Sequence, residues 1–373
     1  MNMEIASKYR NRLLATVSSL ALLGGAQCAI AGDTDRPPVW IELNWQFDRL
    51  DGMGDAYLPA FTDKLVQSGF KSPAAVENEF PYAYGAGGRI SFEPSGSDWI
   101  FSASVRYGRS HNHRSTHEQT ALGSKRHIEL INSSGTHTGL LTLPHGTARF
   151  SDIQARNGES HTILDFQAGK DIGLGLFGSG SKSTVNFGLR FAQFKASRAV
   201  DIKADPDFYF PSKFAKYDKY HHTYSVTSRI ERSFQGIGPS LSWTASVPIL
   251  RDNGDDSDIA LDFGINAAAL FGRQKTRGHH QTTGVYYKSR FVLKYHYSKQ
   301  IHRSGNPNRS RNVTVPNIGG FAGISFRYSD AKISFGYRGD FFFGAIDGGI
   351  DNRKSTTLGF NGPYASISVG LGD

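Results

Sequence analysis

Alternation of apolar and polar residues is the feature of this chain that most limits its fold. In residues 39–48, one face of an extended strand would hold Ile41, Leu43, Trp45 and Phe47, and the residues between them are polar. A period of two residues is that of a β-strand with one apolar face. Because the same period recurs in about ten segments, the sequence predicts an all-β fold.

Short polar turns join most of these segments into hairpins. Pro, Gly, Ser, Asp and Asn dominate the turns, as expected for tight reversals between strands. The turns lie at residues 94–98, 178–181, 251–256 and 329–331. A last alternating segment covers residues 363–371 and completes the series.

Between the hairpins lie long polar connections, so short and long connections alternate. The long ones are residues 49–81, 109–160, 195–222, 273–311 and 344–360. This asymmetry is typical of transmembrane antiparallel up-and-down β-barrels, which have short periplasmic turns and long extracellular loops. Both termini would then be periplasmic and the strand number even. We expect about ten strands, within a range of about eight to twelve.

Two further segments allow alternative assignments at this stage. Residues 224–234 and 285–297 also alternate, although they fall within or beside the long connections. They either extend strands above the membrane or form an additional strand pair.

The first 31 residues have the features of a cleaved secretory signal. A basic start precedes an apolar stretch at residues 13–26, and Ala29-Ile30-Ala31 predicts cleavage before Gly32. A lipoprotein acylated at Cys28 is the alternative. Cys28 is the sole cysteine, so a mature domain of residues 32–373 has no thiol for a disulfide, a thiolate metal site or a nucleophile.

No segment after residue 31 approaches the about 18 consecutive apolar residues that a membrane helix needs. Any membrane crossing must therefore use strands. The composition agrees, since the chain has 42 Gly, 26 Phe and 16 Tyr but a mean hydropathy of −0.39. Lipid-facing and water-facing residues that alternate cancel in such an average.

Charged residues keep to the face opposite the apolar one, and a closed barrel would turn them inward. The candidates for the lumen wall are Glu42, Asp48, Arg89, Glu93, Arg106, Asp165, Arg190, Asp262, Arg327, Arg338 and Asp340. They predict a water-filled conduit with charges of both signs. The alternative is that the charges pair with one another and fill a narrow lumen.

A long stretch without acidic residues is the strongest charge feature. It runs from Asp262 to Asp330, and most of its basic residues fall in the connection 273–311. These are Arg273, Lys275, Arg277, Lys288, Arg290, Lys294, Lys299, Arg303, Arg309 and Arg311. In an external loop their field would attract phosphorylated lipopolysaccharide or anionic solutes. The alternative is a solvated basic loop at the cell surface. The export signal argues against nucleic acid as a partner.

No catalytic site, metal site or cofactor is expected. Histidines cluster at residues 111–117, 221–222 and 279–280 without cysteines or carboxylates at ligand-like spacing. G-x-S-x-G, P-loop and H-E-x-x-H motifs are all absent from the sequence. A surface hydrolase using Asp207 with a nearby histidine is the enzyme alternative, and it rests on proximity in the sequence alone.

Four strand and turn sequences stand out: GLGLFG at 173–178, GLRFAQF at 188–194, SFQGIGPSLSW at 233–243 and FGYRGDFFFGAIDGG at 335–349. They resemble the Legionella-type pore-forming major outer-membrane protein family. The resemblance covers much of residues 160–373 and implies a barrel and a pore, but it carries over no catalytic residue. One departure is the C-terminus, VGLGD, which lacks the terminal aromatic residue common in such barrels.

The sequence thus predicts an outer-membrane, porin-like protein for passive diffusion of small hydrophilic solutes or ions. The alternative is a closed barrel whose basic loops contact lipopolysaccharide or a host surface. Neither reading assigns an enzymatic activity. A homo-oligomer is compatible with the sequence, which has no recognisable interface pattern.

Overall fold

The computed structural model describes residues 39–52, 82–94, 96–119, 127–131, 137–142, 150–172, 182–204, 219–251, 257–290, 294–303, 308–349 and 353–371. The regular structure in these ranges is entirely β. The strands are β1 (Val39–Asp51), β2 (Tyr82–Phe92), β3 (Trp99–Gln119), β4 (His127–Ile131), β5 (His137–Thr142), β6 (Phe150–Asp171), β7 (Lys182–Ala204), β8 (Lys219–Arg251), β9 (Ser257–Arg290), β10 (Lys294–Arg303), β11 (Arg309–Tyr328), β12 (Ala331–Asp347) and β13 (Ser355–Leu371). The predicted signal, residues 1–31, lies outside the described residues. Over the described ranges we find no helix of the length and apolarity needed to cross a bilayer.

Ten of these strands form a closed antiparallel ring. Its order is β1, β2, β3, β6, β7, β8, β9, β11, β12 and β13, and β13 pairs with β1 from Leu371 opposite Val39 onward. At the level shared by all ten strands, closure pairs both sides of each strand, so the ring has no open edge there. Beyond it, β3 after Arg109 pairs only with β6, and β11 before Asn317 pairs only with β9. The prediction of an all-β, ten-stranded, up-and-down barrel is confirmed.

Three strands lie outside the ring. β10 pairs with the last third of β9, and β4 pairs with β5 in a separate hairpin. The two segments with alternative assignments are thereby resolved. Residues 224–234 extend β8, whereas residues 285–297 include the end of β9 and the start of the additional strand β10.

Two of the predicted hairpin turns are described at one end of the barrel, and the other two, at residues 178–181 and 251–256, lie almost wholly outside the described residues. Ser329 and Asp330 join β11 to β12, and Ser329 adopts a φ of 50°. In the β2–β3 turn, the Ser97 N–H donates to the Pro94 carbonyl at 3.1 Å, and Gly96 has a φ of 73°. We refer to this end of the barrel as the turn end and to the opposite end as the extended end.

Three of the connections at the extended end are shorter than predicted, because described strands continue into them. Much of residues 109–160 is paired, with Arg109 opposite Ser160 and Gln119 opposite Phe150. β8 and β9 contain 33 and 34 residues, whereas a tilted strand crosses a membrane with about 9–11. The predicted loop ranges 109–160, 195–222 and 273–311 were therefore wrong in large part. Their strands are polar on the outside, which makes them resemble loops in sequence.

The outer face of the ring carries an apolar band. Representative side chains are Trp45, 54% exposed, Phe166, 60% exposed, and Ile265, 63% exposed. On β9 the band runs from Leu261 to Phe271. About eleven residues at a rise of about 3.3 Å and a tilt of about 40° give a height of about 28 Å. A bilayer has a hydrocarbon core of about 30 Å.

Exposed aromatic side chains border this band at both ends. Toward the extended end lie Tyr82, Tyr84 and Tyr107, and Tyr82 stacks on Phe47 with ring centroids 4.9 Å apart. Toward the turn end lie the exposed rings of Trp99 and Tyr328, among others. Aromatic girdles at both borders of an apolar band are characteristic of membrane barrels.

The interior of the ring is filled by side chains in two zones. Polar and charged residues occupy the middle of the barrel, and an apolar cluster lies beyond them toward the extended end. The cluster comprises Leu50, Ala83, Ile163, Ala192, Phe194, Phe234, Leu270, Val315, Phe342, Ala345, Ile346, Leu358 and Phe360. On β7, for example, Arg190 belongs to the polar zone and Phe194 to the apolar one.

Candidate functional site in the barrel lumen

The predicted lumen residues that lie on strands all fall on the inward phase of the alternation. Asp48, Asp165, Arg190, Asp262 and Asp340 are buried. Partly buried positions are Glu42, Arg89, Arg106, Arg327 and Arg338. Glu93 is partly buried just beyond the end of β2. Their role as the wall of a conduit stays a prediction.

Arg190 is the centre of the polar zone. Its Nε donates to Asp165 Oδ1 at 2.6 Å, and its Nη2 donates to Asp165 Oδ2 at 3.1 Å, a bidentate pair between β7 and β6. Its Nη1 donates to Asn266 Oδ1 at 2.6 Å and also to Asn317 Oδ1. The guanidinium therefore connects β6 and β7 with β9 and β11. Bidentate arginine–carboxylate pairs fix geometry as well as charge.

Asp340 joins this centre to the opposite wall. Its Oδ2 lies 2.5 Å from Arg106 Nη1, and its Oδ1 lies 3.9 Å from Arg190 Nη1. Arg106 belongs to β3 and Asp340 to β12, and β13, β1 and β2 separate these strands on the shorter path around the ring. The ion pairs thus cross the lumen. This agrees with the alternative expected from the sequence, in which the inward charges pair with one another in a narrow lumen.

Other lumen cations are held nearer the turn end. The Arg338 guanidinium carbon lies 5.4 Å from the Phe321 ring centroid and 5.3 Å from that of Tyr364. Lys332 Nζ lies 2.5 Å from Asp262 Oδ2. Cation–π contacts and ion pairs satisfy these charges without requiring bulk water.

Sequence reasoning missed several polar members of this interior. Asn266, Asn317, His161 and Lys332 point inward but were not among the candidates. The selection considered only Asp, Glu and Arg, so it left out amides, histidine and lysine. Each of the four lies an even number of residues from a selected residue on its own strand, so both point to the same face. This spacing could have identified them from the sequence.

Four phenylalanines close the lumen above the polar zone. We call Phe194, Phe234, Phe342 and Phe360 the aromatic layer. Phe194, on β7, has its ring centroid 4.6 Å from that of Phe342 and 5.6 Å from that of Phe360, on the facing strands β12 and β13. Phe194 also stacks with Phe234, at 5.8 Å. The rings therefore meet across the barrel at this level, where all four are buried.

Residues 344–349, which we call the inner segment, lie inside the barrel beyond the aromatic layer. The chain turns there at Gly344, whose φ is 68°, next to a register shift between β12 and β13. Ala345, Ile346 and Asp347 are 0%, 2% and 4% exposed. Such burial places the end of β12 within the mouth of the barrel.

Polar contacts from three other strands hold the inner segment. Arg309 Nε, on β11, donates to Asp347 Oδ2 at 2.8 Å, and Arg309 Nη2 donates to the Gly349 carbonyl at 2.9 Å. Arg232 Nη2, on β8, donates to the Gly348 carbonyl at 2.7 Å. Gln274, on β9, reaches the Gly344 carbonyl at 3.3 Å.

A buried histidine lies beside the aromatic layer. His161 Nδ1 is 3.2 Å from Glu159 Oε1, His161 Nε2 is 3.9 Å from Asp48 Oδ2, and its ring centroid is 4.1 Å from that of Phe360. Glu159 lies beyond the apolar band, and burial raises the pKa of its carboxyl, opposed by the hydrogen bond to His161. The adjoining cavity is about 10 Å³, which is the room for one water molecule.

The described residues contain no group of three or more His, Cys, Asp or Glu side chains arranged to hold a metal ion. The histidines of the sequence-based candidates are spread over several strands. His111 and His113 lie on β3 and His279 and His280 on β9, whereas Asp207 lies outside the described residues.

The predicted basic loop is instead distributed over three strands and two faces. Arg273, Lys275 and Arg277 point outward from β9 and are exposed. Arg309 and Arg311 turn inward from β11, where Arg311 Nε donates to Gln274 Oε1 at 2.9 Å. The side chains of the other members, Lys288, Arg290, Lys294, Lys299 and Arg303, lie outside the described residues, and their backbone belongs to β9 and β10. A single basic loop was therefore the wrong description.

Comparisons with known proteins place no family name on this chain. No family model matches it, and no curated protein matches it. Among solved structures, it is similar to a deletion mutant of the monoaromatic hydrocarbon channel TodX, with 8% identity, 90% and 91% of the two chains covered and a TM-score of 0.21.

Two other solved structures give comparable values. The transport unit of the autotransporter AIDA-I from Escherichia coli has 7% identity, 96% and 98% coverage and a TM-score of 0.22. The Ralstonia pickettii toluene transporter TbuX has 10% identity, 90% coverage of each chain and a TM-score of 0.21. At such scores the fold rests on the strand pairing of this chain itself.

Proposed function

We propose that this protein is a channel-type barrel of a Gram-negative outer membrane, whose conduit for small hydrophilic solutes or ions is closed in the described state. The observation that carries the proposal is the closed ring of ten strands with an apolar outer band and a charged interior. Soluble proteins rarely expose a continuous apolar band of this size. A barrel embedded in lipid requires an apolar outer face.

Three features inside the ring support the closed state. The ion pairs around Arg190 and Asp340 cross the polar zone, the aromatic layer fills the next level, and the inner segment occupies the mouth. A narrow constriction lined by apolar side chains blocks ions because it excludes water and therefore hydrated ions. Passage of solutes then requires the aromatic layer and the inner segment to move.

Movement of the inner segment would break polar contacts and would also uncover Ala345 and Ile346, which belong to the buried apolar cluster. Toward β13, Ile346 and Asp347 still pair with Thr356 and Ser355. On its other sides, Arg232, Arg309 and Gln274 contact it through hydrogen bonds and an ion pair. Exchanging such contacts for water costs far less than separating strands of the ring.

A permanently closed barrel that serves surface interaction is the second candidate, and the filled interior favours it. In narrow barrels, side chains alone fill the lumen. The two candidates differ in one respect that can be measured: only a conduit passes solutes once its constriction is enlarged.

The test compares solute entry into liposomes that contain the refolded mature chain or its variants. Phe342→Ala shrinks the aromatic layer, and Phe341→Ala is the matched control, because Phe341 is its neighbour on β12 but faces outward with 38% exposure. We expect small sugars to enter faster with Phe342→Ala than with wild type or the control. Because removing a buried phenyl ring costs about 3–5 kcal/mol, Phe342→Leu is the milder second variant, and heat-modifiable gel mobility reports folding. Equal, background-level entry for all folded variants would favour the closed barrel.

A further inference from the structure

The outer wall formed by β7, β8, β9 and β11 changes from apolar to basic over a short distance. The strand registers align outward side chains in rows across these four strands. The last row of the apolar band is Phe191, Ile237, Phe271 and Thr314. The next two rows, which we call the basic rows, are Gln193, Gln235, Arg273 and Asn312, followed by Lys195, Ser233, Lys275 and Ser310.

The basic rows contain cations and hydrogen-bond donors but no acid. Arg273, Lys195 and Lys275 are exposed, and the other five members are amides or hydroxyls. Arg273 Nε donates to Ser310 Oγ at 2.7 Å, which orients the guanidinium along the wall. Glu231 is the first acid in register and lies one row further out, opposite Arg277.

The height of the basic rows matches the head groups of a lipid. Adjacent rows are two residues apart, about 6.6 Å along a strand and about 5 Å along the barrel axis at a tilt of about 40°. The cations therefore lie about 5 and 10 Å beyond the last apolar row. Acyl chains covering Phe271 would place phosphate groups at this level.

We propose that the basic rows bind the phosphate groups of an anionic lipid in the leaflet at the extended end. Arg273 and Lys275 on β9 and Lys195 on β7 supply the charge, and the amide and hydroxyl side chains between them donate further hydrogen bonds. The inference rests on the proposed placement of the barrel in an outer membrane. It adds a lipid site on the outer wall to the conduit inside.

The experiment measures lipid binding to the refolded mature chain in zwitterionic detergent micelles by native mass spectrometry. The probes are a bisphosphorylated lipid A, the same lipid without its phosphates, and inorganic phosphate. The test variant combines Lys195→Gln, Arg273→Gln and Lys275→Gln. The single variant Lys275→Gln is compared with Lys170→Gln, since Lys170 is 49% exposed near the turn end and loses the same charge.

We expect the triple variant to bind the bisphosphorylated lipid at least about tenfold more weakly than wild type, because each cation near a charged lipid surface contributes to binding. Lys275→Gln should weaken it several-fold and Lys170→Gln should leave it unchanged. Equal binding by the triple variant and wild type would overturn the proposal. Equal binding of the dephosphorylated lipid, or competition by inorganic phosphate at the same concentration, would also overturn it.

Failure of this proposal is separable from failure of the proposed function. Insertion into liposomes and heat-modifiable mobility test the membrane barrel without reference to the basic rows. If the barrel inserts but does not bind the phosphorylated lipid preferentially, only the proposed lipid site is refuted. If the chain does not insert, the proposed placement in a membrane is refuted, and both proposals depend on that placement.

Discussion

Arg106 on β3 and Asp340 on β12 form an ion pair across the lumen, with 2.5 Å between Nη1 and Oδ2. The side chains are 14% and 2% exposed, so the pair is largely removed from water. Asp340 also lies 3.9 Å from Arg190, which is itself paired with Asp165. One carboxylate therefore links Arg106 and Arg190.

Replacing Asp340 should destabilise the barrel strongly. Asp340→Asn leaves Arg106 in a buried position without its counter-charge, and breaking such a pair costs about 3–5 kcal/mol. Urea unfolding of the barrel in lipid vesicles measures the change. The control is Asp98→Asn, since Asp98 pairs with Lys170 at 3.6 Å and is 76% exposed. An exposed pair contributes about 0–1 kcal/mol, so equal losses in the two variants would contradict the central place of Asp340.

Close strand contact at Gly362 should exclude larger side chains. A Cβ at this position would lie 1.8 Å from the Phe47 carbonyl oxygen on β1, a backbone atom that cannot move independently. Gly362→Ala should therefore distort the β13–β1 seam and lower the yield of folded barrel. Gly339→Ala is the control, because its nearest atom would lie at 3.6 Å. If both variants refold like wild type, the tight approach at this seam is disproved.

Loss of the Arg309–Asp347 ion pair should release the inner segment. Arg309→Gln removes the Nε and Nη2 donors to Asp347 and Gly349. We expect trypsin to cleave near Arg353 and Lys354, which are exposed, several times faster in this variant. Arg273→Gln, which removes an outward arginine, should digest as wild type does. Unchanged cleavage in Arg309→Gln would show that the pair does not hold the segment.

The barrel itself follows from local sequence because each ring strand repeats one physical requirement. Ile41, Leu43 and Trp45 must face lipid while the residues between them face the interior, so a period of two residues identifies both the strand and its orientation. The same alternation correctly predicted that Arg190 and Asp340 point into the barrel. The short turns followed from Gly, Pro and Ser at the strand ends.

The extensions and the lumen partners were not accessible in this way. Beyond the apolar band no lipid requires an apolar outer face, so residues such as Arg273 and Lys275 look like loop residues although they belong to β9. Cross-lumen partners depend on how the ring closes, which no local pattern contains. Arg309, assigned to an outer basic loop, instead pairs with Asp347 inside the barrel.

Single-channel recording of the wild-type chain in planar bilayers, under a salt gradient, tests the central account most directly. A conduit closed by the aromatic layer and the inner segment predicts long silent periods interrupted by brief, discrete openings, and more frequent openings in Arg309→Gln. Steady conductance from the moment of insertion would contradict the closed state. Silence in both wild type and Arg309→Gln, from protein with folded-barrel mobility, would contradict the conduit.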